Sequence, residues 1–239
     1  MRDAILFAGP SLWGSGMPIP PGIALRPPAA CGDIVRALAE RPRAIGLVDG
    51  IFETRPSVWH KEILAALAEG VPVLGAASLG AIRAAELHSC GMIGVGAIFR
   101  AYRSGLIERD DAVMVSHAPP ALAHRPLTVA LVDIGACTRN WPDADRRLVL
   151  RIADRLNFRD RNWDRLAALF RERAGREMPA PDRAISRKRR DAERLVSRLT
   201  QGVDRPVACP PPPETPWFRR LRQPTGEAAL GRYAEAGRA

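Results

Sequence analysis

The segment that most constrains the fold is residues 73–87, where a short apolar run passes directly into a helix-forming run. Small residues stand on both sides of a serine: Ala76 lies two positions before Ser78, and Gly80 lies two positions after it. This spacing permits a sharp turn from strand to helix with the hydroxyl at its apex, as in the nucleophile elbow of hydrolases. The usual elbow has glycine at the first small position, and a serine that opens a helix is commonly an N-cap. Both interpretations are therefore open at this point.

The same succession of an apolar run and a helical pattern recurs along the first half of the chain. Strand-like runs cover residues 5–8, 44–48 and 72–76, with a short extended piece at residues 23–26, and helical spacing covers residues 33–40, 57–69 and 79–87. Strands that alternate with helices of this length are typical of an α/β fold. The sequence therefore predicts a parallel, doubly wound, Rossmann-like sheet. From residue 140 onward the periodicity is helical, which predicts additional C-terminal helices.

The charge distribution divides the chain near residue 138. Residues 1–138 carry 12 basic and 12 acidic side chains, so the whole net charge of +10 lies beyond them. We expect three parts: an α/β core domain at residues 1–138, a basic helical extension at residues 139–202, and a Pro-rich, poorly ordered tail at residues 203–239. Clustered cations favour an acidic partner. Because the basic part has few aromatic residues and no nucleic-acid-reading motif, an acidic protein is preferred over nucleic acid.

Composition also argues against several classes of protein. No apolar run approaches the length of a membrane span, and no signal peptide is recognisable, so we expect a cytoplasmic protein without membrane contact. The four cysteines lie far apart without a Cys-x-x-Cys pair, which argues against a metal site and a disulfide framework. A dinucleotide fingerprint fails because Phe99 stands where the last glycine is needed. We expect neither a metal nor a cofactor.

Three predicted strands are followed by polar residues. Ser11 comes shortly after the first strand, Asp49 directly after the second, and Ser78 shortly after the third. The carboxyl ends of parallel strands lie at one edge of a sheet, and ligand sites form beyond that edge. We therefore expect these three side chains to meet at one site, which favours a functional role for Ser78.

Lysine is rare in this chain, since only two of the 36 basic residues are lysine. Lys188 lies in the run Arg-Lys-Arg-Arg, where any cation would serve, whereas Lys61 lies in the dense stretch Trp-His-Lys-Glu at the start of a predicted helix. A desolvated lysine can lose its proton and act as a base, which arginine cannot do. Lys61 and its neighbour His60 are therefore candidate bases near Ser78. A solvated lysine and a packing histidine are the open alternatives.

Three more residues are candidates for a supporting role. Arg83 and Glu86 lie three positions apart on one helix face, where they form an ion pair or, through Arg83, a clamp for a substrate carboxylate. His117 ends an alternating run at residues 112–117, which predicts a strand that delivers this histidine to its end. A serine, an aspartate and a histidine follow one another in the chain order of α/β-hydrolases, but the aspartate lies only six or seven positions before His117. No triad is predicted.

Several dense motifs occur in a fixed order. They are Gly9-Pro10-Ser11-Leu12, Pro27-Pro28-Ala29-Ala30-Cys31-Gly32-Asp33, Asp49-Gly50-x-Phe52, Val58-Trp59-His60-Lys61-Glu62-Ile63-Leu64, residues 75–87 around Ser78, Gly91-Met92-x-Gly94-x-Gly96-x-Ile98-Phe99 and Asp110-Asp111-x-Val113. In this combination they resemble the TfuA-like family. The resemblance covers roughly residues 5–135 and leaves the basic helical part unassigned.

The resemblance implies a function. TfuA-like proteins accompany YcaO enzymes, which activate peptide amides with ATP, and together they install thioamides in ribosomally made peptides. The expected role is an accessory hydrolase that releases sulfide from the thiocarboxylate of a ThiS-like, ubiquitin-fold carrier. Such acyl transfer needs a nucleophile, a base and an oxyanion site. Ser78 is the expected nucleophile, and Lys61 or His60 the expected base.

A second expectation belongs to a different class of protein. The chain can instead be a non-catalytic adaptor, whose basic C-terminal helices dock the YcaO enzyme and a sulfur carrier or precursor peptide. A nucleic-acid-binding module is a third class, which salt-dependent binding would reveal.

Overall fold

The core of the protein is a five-stranded, entirely parallel β-sheet. The computed structural model describes residues 3–52, 54–204 and 209–222. Within them the strand order is β2-β1-β3-β4-β5. The strands are β1 (Ala4–Phe7), β2 (Ile23–Arg26), β3 (Ile45–Leu47), β4 (Val73–Ala76) and β5 (Ile93–Val95). The predicted α/β fold with additional C-terminal helices is thereby confirmed.

Nine α-helices accompany the sheet in the described part of the chain. They are α1 (Asp33–Ala39), α2 (His60–Ala68), α3 (Leu79–Leu87), α4 (Gly96–Arg103), α5 (Leu131–Cys137), α6 (Asp143–Arg155), α7 (Trp163–Ala174), α8 (Arg187–Gln201) and α9 (Pro216–Arg222). None of the helices in these ranges is long and apolar enough to cross a membrane.

One face of the sheet is covered by the helices that connect consecutive strands. Alternate strand residues such as Ile5, Ile45 and Val73 point to this face, because successive side chains of a strand point to opposite sides. They pack with apolar residues of α1, α2 and α3 such as Ile34 and Ile63. This layer matches the helical periodicity of the first half of the sequence.

The other face of the sheet is covered by α8, which comes from the basic extension. Leu195 and Leu199 of α8 are fully buried and pack with Leu6 and Leu74 of the sheet. A Cβ atom on Gly46 of β3 would lie 2.8 Å from the Leu195 side chain, so the helix lies directly on the strand. Each such buried leucine contributes about 2 kcal/mol of transfer free energy. Although it lies beyond residue 138, α8 therefore belongs to the packing of the α/β core.

The helices α5, α6 and α7 share a smaller apolar cluster of their own. Its fully buried members include Ile134 on α5, Val149 and Ile152 on α6, and Leu166 and Phe170 on α7. This cluster accounts for the helical pattern that the sequence shows after residue 140.

Two segments differ from the sequence-based expectation. Residues 112–117 form no strand: a 3-10 turn at Asp110–Ala112 is followed by irregular chain with an isolated bridge from His117 to Pro126. Part of the expected poorly ordered tail is the helix α9, because Phe218 and Leu221 have apolar sites to fill beside the core. Residues 205–208 and 223–239 of that predicted tail lie outside the described residues.

Candidate functional site

The candidate site lies at the switch point of the strand order, where the chain stops adding strands on one side of β1 and begins to add them on the other. From β1 the chain adds β2 on one side, and it then adds β3, β4 and β5 on the other side. In open parallel sheets a ligand crevice forms outside the carboxyl ends of the two strands at this switch point, here β1 and β3.

Asp49 joins the ends of these two strands. Its Oδ2 accepts hydrogen bonds from the backbone N–H groups of Gly9 and Ser11, both at 2.9 Å, and its Oδ1 accepts one from Ser11 Oγ at 2.6 Å. The carboxylate is 1% exposed, and charge-assisted bonds of this kind are among the stronger ones in proteins. Ser11 and Asp49 thus meet as the sequence predicted, with Asp49 as the organising residue.

The turn into α3 is strained immediately before Ser78. Ala77 has a positive φ of 64°, and the N–H of Ser78 donates a 2.7 Å hydrogen bond to the carbonyl of Ala76. An i to i+2 bond around a residue with positive φ describes a γ-turn of the rare, strained kind. Ser78 stands at the N-cap position, but its side chain makes no capping hydrogen bond. The Ser78 hydroxyl therefore does not cap α3.

Gly80 brings the start of α3 against β3. A Cβ atom at this position would lie 1.7 Å from the carbonyl oxygen of Leu47, and the Gly80 N–H donates to the Val48 carbonyl at 3.2 Å. The N–H of Ala81 donates to the Ser78 carbonyl at 2.9 Å. These two amides of the first helical turn are therefore occupied and do not form the oxyanion site expected from the sequence.

A cavity of about 460 Å³ unites the residues at the switch point. Ser78, Asp49 and His117 line it together with Lys188. Three of these four residues were candidates from the sequence, and they come from the chain after β3, the β4–α3 turn and the chain before α5. A serine, an aspartate, a histidine and a lysine thus line one half-open cavity.

Lys188, which the sequence placed in a run where any cation would serve, lines the cavity with Ser78. It lies on the first turn of α8 and is 3% exposed, and its Nζ donates a 2.7 Å hydrogen bond to the Val113 carbonyl. Burial lowers the pKa of this lysine, whereas the negative charges of Asp49 and Asp133 act in the opposite direction. The helical spacing could have found it, since Lys188, Ala192 and Leu195 follow one another at steps of four and three residues on the buried face.

His117 is oriented by its backbone. Its Nδ1 lies 2.9 Å from the carbonyl oxygen of Ala118, which can only accept, so Nδ1 carries the proton and a neutral ring has its lone pair on Nε2. The ring of His124 packs edge-on at a centroid distance of 5.2 Å. Burial lowers the pKa of His124, and a charge on His117 would lower it further. A neutral imidazole with a lone pair is the form in which histidine acts as a base.

His60, Arg83 and Glu86 form a separate cluster outside this cavity. His60 Nε2 lies 2.9 Å from Glu86 Oε2, and Arg83 Nη1 donates to the same oxygen at 2.7 Å. Arg83 Nε donates to the Val58 carbonyl at 3.0 Å. Of the two roles expected for Arg83, the structure supports the ion pair with Glu86. None of His60, Arg83 and Glu86 lines the Ser78 cavity.

Lys61 also lies away from Ser78. Its Nζ donates hydrogen bonds to the Pro213 carbonyl at 2.9 Å and to Thr215 Oγ1 at 3.3 Å, so it holds the segment that leads into α9. The expectation that Lys61 or His60 lies beside Ser78 fails for a simple reason. Both begin a helix whose buried face is formed by the residues that follow them, and their own side chains point outward.

Glu62, the next residue of that motif, is completely buried. Its carboxylate accepts hydrogen bonds from the N–H groups of Gly32 at 2.8 Å and Trp59 at 2.9 Å, and so ties α2 to the start of α1. Burial raises the pKa of Glu62 from 4.5 to about 7, although the two backbone bonds favour the charged form. Glu62 therefore holds the start of α2 against the start of α1.

This raised pKa predicts a pH-dependent stability. Because the folded state retains the proton above the pH at which the unfolded chain loses it, the contribution of Glu62 to the free energy of unfolding falls as pH rises from about 4.5 to about 7. The loss amounts to about 3 kcal/mol. Urea unfolding at several pH values should show it as a difference between the wild type and Glu62→Gln, which cannot titrate. Parallel pH profiles of the two proteins would contradict the assignment.

Comparison with known sequences identifies part of the chain. Residues 49–162, just under half of the sequence, match the family model described as TfuA-like protein. The match includes Asp49, Ser78 and His117, and it confirms the resemblance seen in the sequence motifs. At the level of the family it supports a role in YcaO-associated thioamidation. No curated protein matches the chain.

Proposed function

Through residues 49–162 the chain belongs to the TfuA-like protein family, and on this premise we propose that it releases sulfide for YcaO-dependent thioamidation. The proposed substrate is the C-terminal thiocarboxylate of a ThiS-like carrier protein. The proposed partners are that carrier, the YcaO enzyme that consumes the sulfide, and the precursor peptide that the YcaO enzyme modifies.

The observation that supports this proposal most strongly is the cavity at the switch point. It places the Ser78 hydroxyl, which caps no helix, in one space with His117 and a buried ammonium group. A serine, an imidazole and a cation in one cavity are groups that acyl transfer to an anionic substrate uses.

The proposed chemistry proceeds in two steps. The oxygen of Ser78 attacks the thiocarboxylate carbon, the carbon–sulfur bond breaks, and hydrosulfide leaves with the proton that the hydroxyl gave up. Water then hydrolyses the acyl-serine ester, which restores the hydroxyl, leaves the carrier with a carboxylate and releases one proton to solvent. The net reaction consumes one water for each hydrosulfide, so it needs no redox partner.

His117 is the proposed base. It lines the cavity with Ser78, and its Nδ1 hydrogen bond directs a lone pair to Nε2. General-base assistance of this kind accounts for rate factors of about 10² to 10⁴. No step of the proposed reaction uses Lys61 or His60, because their side chains bind other partners outside the cavity.

Sulfide release from a thiocarboxylated carrier tests the proposal. We expect Ser78→Ala to lower the rate at least about 100-fold, because the nucleophile is lost, while the fold is retained. Lys61→Ala is the matched control and should release sulfide at nearly the wild-type rate. A Ser78→Ala protein that releases sulfide as fast as the wild type would exclude this nucleophile.

A non-catalytic adaptor is the second candidate, and the exposed face of α8 favours it. Arg190, Arg194 and Arg198 recur at every fourth position on that face and suit an acidic protein surface. Deleting the basic extension would uncover Leu195 and Leu199, so charge reversal of the three arginines to glutamate is the sharper experiment. An adaptor role predicts that this variant loses YcaO or carrier binding and that Ser78→Ala does not impair thioamidation.

A further inference from the structure

Two of the four cysteines meet at one place in the fold. Cys90 ends a 3-10 turn that follows α3, and Cys209 is the first residue of the described segment 209–222 that contains α9. Both thiols are partly exposed, and both line one cavity of about 570 Å³. The two positions are far apart in the sequence and belong to no Cys-x-x-Cys motif, so it is the fold that brings these thiols together.

The two thiol groups also act on each other electrostatically. Burial raises the pKa of Cys209, and a negative charge on Cys90 would raise it further. Because the interaction between two charges falls with distance, this effect requires the two sulfur atoms to be near each other. Both side chains pack against the same hydrophobic core. The shared cavity and the mutual repulsion of the thiolates therefore indicate a thiol pair.

The chain after Cys209 is stiff and anchored. Four consecutive prolines follow it, and their rings fix the φ angles. Lys61 Nζ holds the end of this run by donating to the Pro213 carbonyl at 2.9 Å, and Phe218 of α9 is buried in the core. A proline-rich segment acts as a semi-rigid spacer, so these anchors hold Cys209 beside Cys90.

The other two cysteines are buried and provide an internal comparison. Burial raises the pKa of both Cys31 and Cys137 to about 12. The thiolate is the reactive form of cysteine, and buried thiols of this kind are inert. Oxidation should therefore select Cys90 and Cys209.

We propose that Cys90 and Cys209 form a modification site for low-molecular-weight disulfides such as glutathione disulfide. One protein thiolate attacks the small disulfide, releases the first reduced thiol and keeps the other half as a mixed disulfide. The second protein thiolate attacks this mixed disulfide, forms the Cys90–Cys209 bond and releases the second reduced thiol. The protein pair is oxidised, the small disulfide is reduced, and the two thiol protons leave with the released thiols. This inference is independent of the proposed function.

The bond would fasten the segment 209–222 to the turn after α3. It closes a loop of roughly 120 residues, and long loops gain most from a cross-link in the chain-entropy account. None of the residues that line the cavity of the two thiols lines the Ser78 cavity. Oxidation would therefore strengthen the hold on α9 without adding a group to the cavity that contains Ser78.

Incubation of the full chain with glutathione disulfide, followed by non-reducing peptide mapping, tests the proposal. We expect the wild type to lose the mass of two hydrogen atoms and to yield one linked pair of peptides that contains Cys90 and Cys209. The midpoint of its thermal unfolding should rise by about 10 °C on oxidation. Cys90→Ser should keep a glutathione adduct on Cys209, about tenfold more than the wild type, because the second thiol is absent. Cys137→Ser, the matched control at a buried thiol, should form the bond like the wild type.

Stable glutathione adducts on both Cys90 and Cys209 of the wild type, without the linked peptides, would overturn the proposal. A link from either thiol to Cys31 or Cys137, a link between two chains, or no oxidation at all would do the same. If Cys90→Ser does not fold, Cys209→Ser gives the same comparison with the adduct on Cys90. The bond should form equally in Ser78→Ala, so a failure of the proposed nucleophile leaves this inference standing.

Discussion

Replacing Asp49 by alanine is expected to lower the free energy of unfolding by about 3–5 kcal/mol. The change removes the acceptor of two backbone N–H groups and of the Ser11 hydroxyl. Both Ser11 donors are buried, and the Gly9 N–H group is partly buried. The change also removes a negative charge that acts on the buried Lys188. A loss of this size is a large part of the 5–15 kcal/mol that stabilises an ordinary domain. Urea unfolding followed by circular dichroism measures it.

Two variants sharpen the Asp49 experiment. Asp49→Asn keeps an oxygen acceptor without the charge, so its loss of stability should be about half as large. Asp143→Ala changes an 88% exposed side chain with a single ion-pair contact at 4.0 Å, and it should stay within about 0.5 kcal/mol of the wild type. An Asp49→Ala protein as stable as Asp143→Ala would mean that the carboxylate does not organise the switch point.

Replacing Gly80 by alanine is expected to prevent stable folding. The new methyl group would lie 1.7 Å from the backbone oxygen of Leu47, and this oxygen belongs to a central strand that cannot shift without breaking the sheet. A backbone clash of this kind costs more than about 4 kcal/mol. We expect the variant to be insoluble or to lack a cooperative thermal transition, as measured by calorimetry and near-ultraviolet circular dichroism.

Gly135→Ala is the matched control for Gly80→Ala. Gly135 lies within α5, and the nearest neighbour of an added Cβ atom is the Leu150 side chain at 4.0 Å. Alanine removes backbone freedom of the unfolded chain, so this substitution should be neutral or stabilise the protein by up to about 1 kcal/mol. If Gly80→Ala folds as well as Gly135→Ala, then α3 does not start against β3 as described.

The parts of the site that follow strands were predictable from the sequence. Ser11, Asp49 and Ser78 each come shortly after a buried apolar run, and the geometry of parallel sheets brings such positions to one edge. This inference needs only periodicity and the direction of the strands. The spacing of small residues around Ser78 separately singled out Gly80, whose missing side chain is required by the contact with Leu47.

The lysine that lines the cavity was not predicted in the same way. The rarity of lysine pointed to Lys61, but its side chain reaches Pro213, a position far along the chain. Lys188 looked like one of several surface cations, although its spacing relative to Leu195 placed it on the buried face of α8. Whether a charged residue turns toward a core depends on which helix covers the sheet, and local composition does not contain that information. The helix α9 escaped prediction for the same reason.

The docking of α8 on the sheet also fixes when the cavity can exist during synthesis of the protein. Asp49 and Ser78 leave the ribosome 139 and 110 residues before Lys188 does. Until α8 has emerged, the second face of the sheet has no cover, and the cavity lacks both its cation and one of its walls. A growing chain therefore carries its serine long before it can enclose a substrate, and the segment at residues 49–162 expressed by itself would have neither Ser11 nor Lys188.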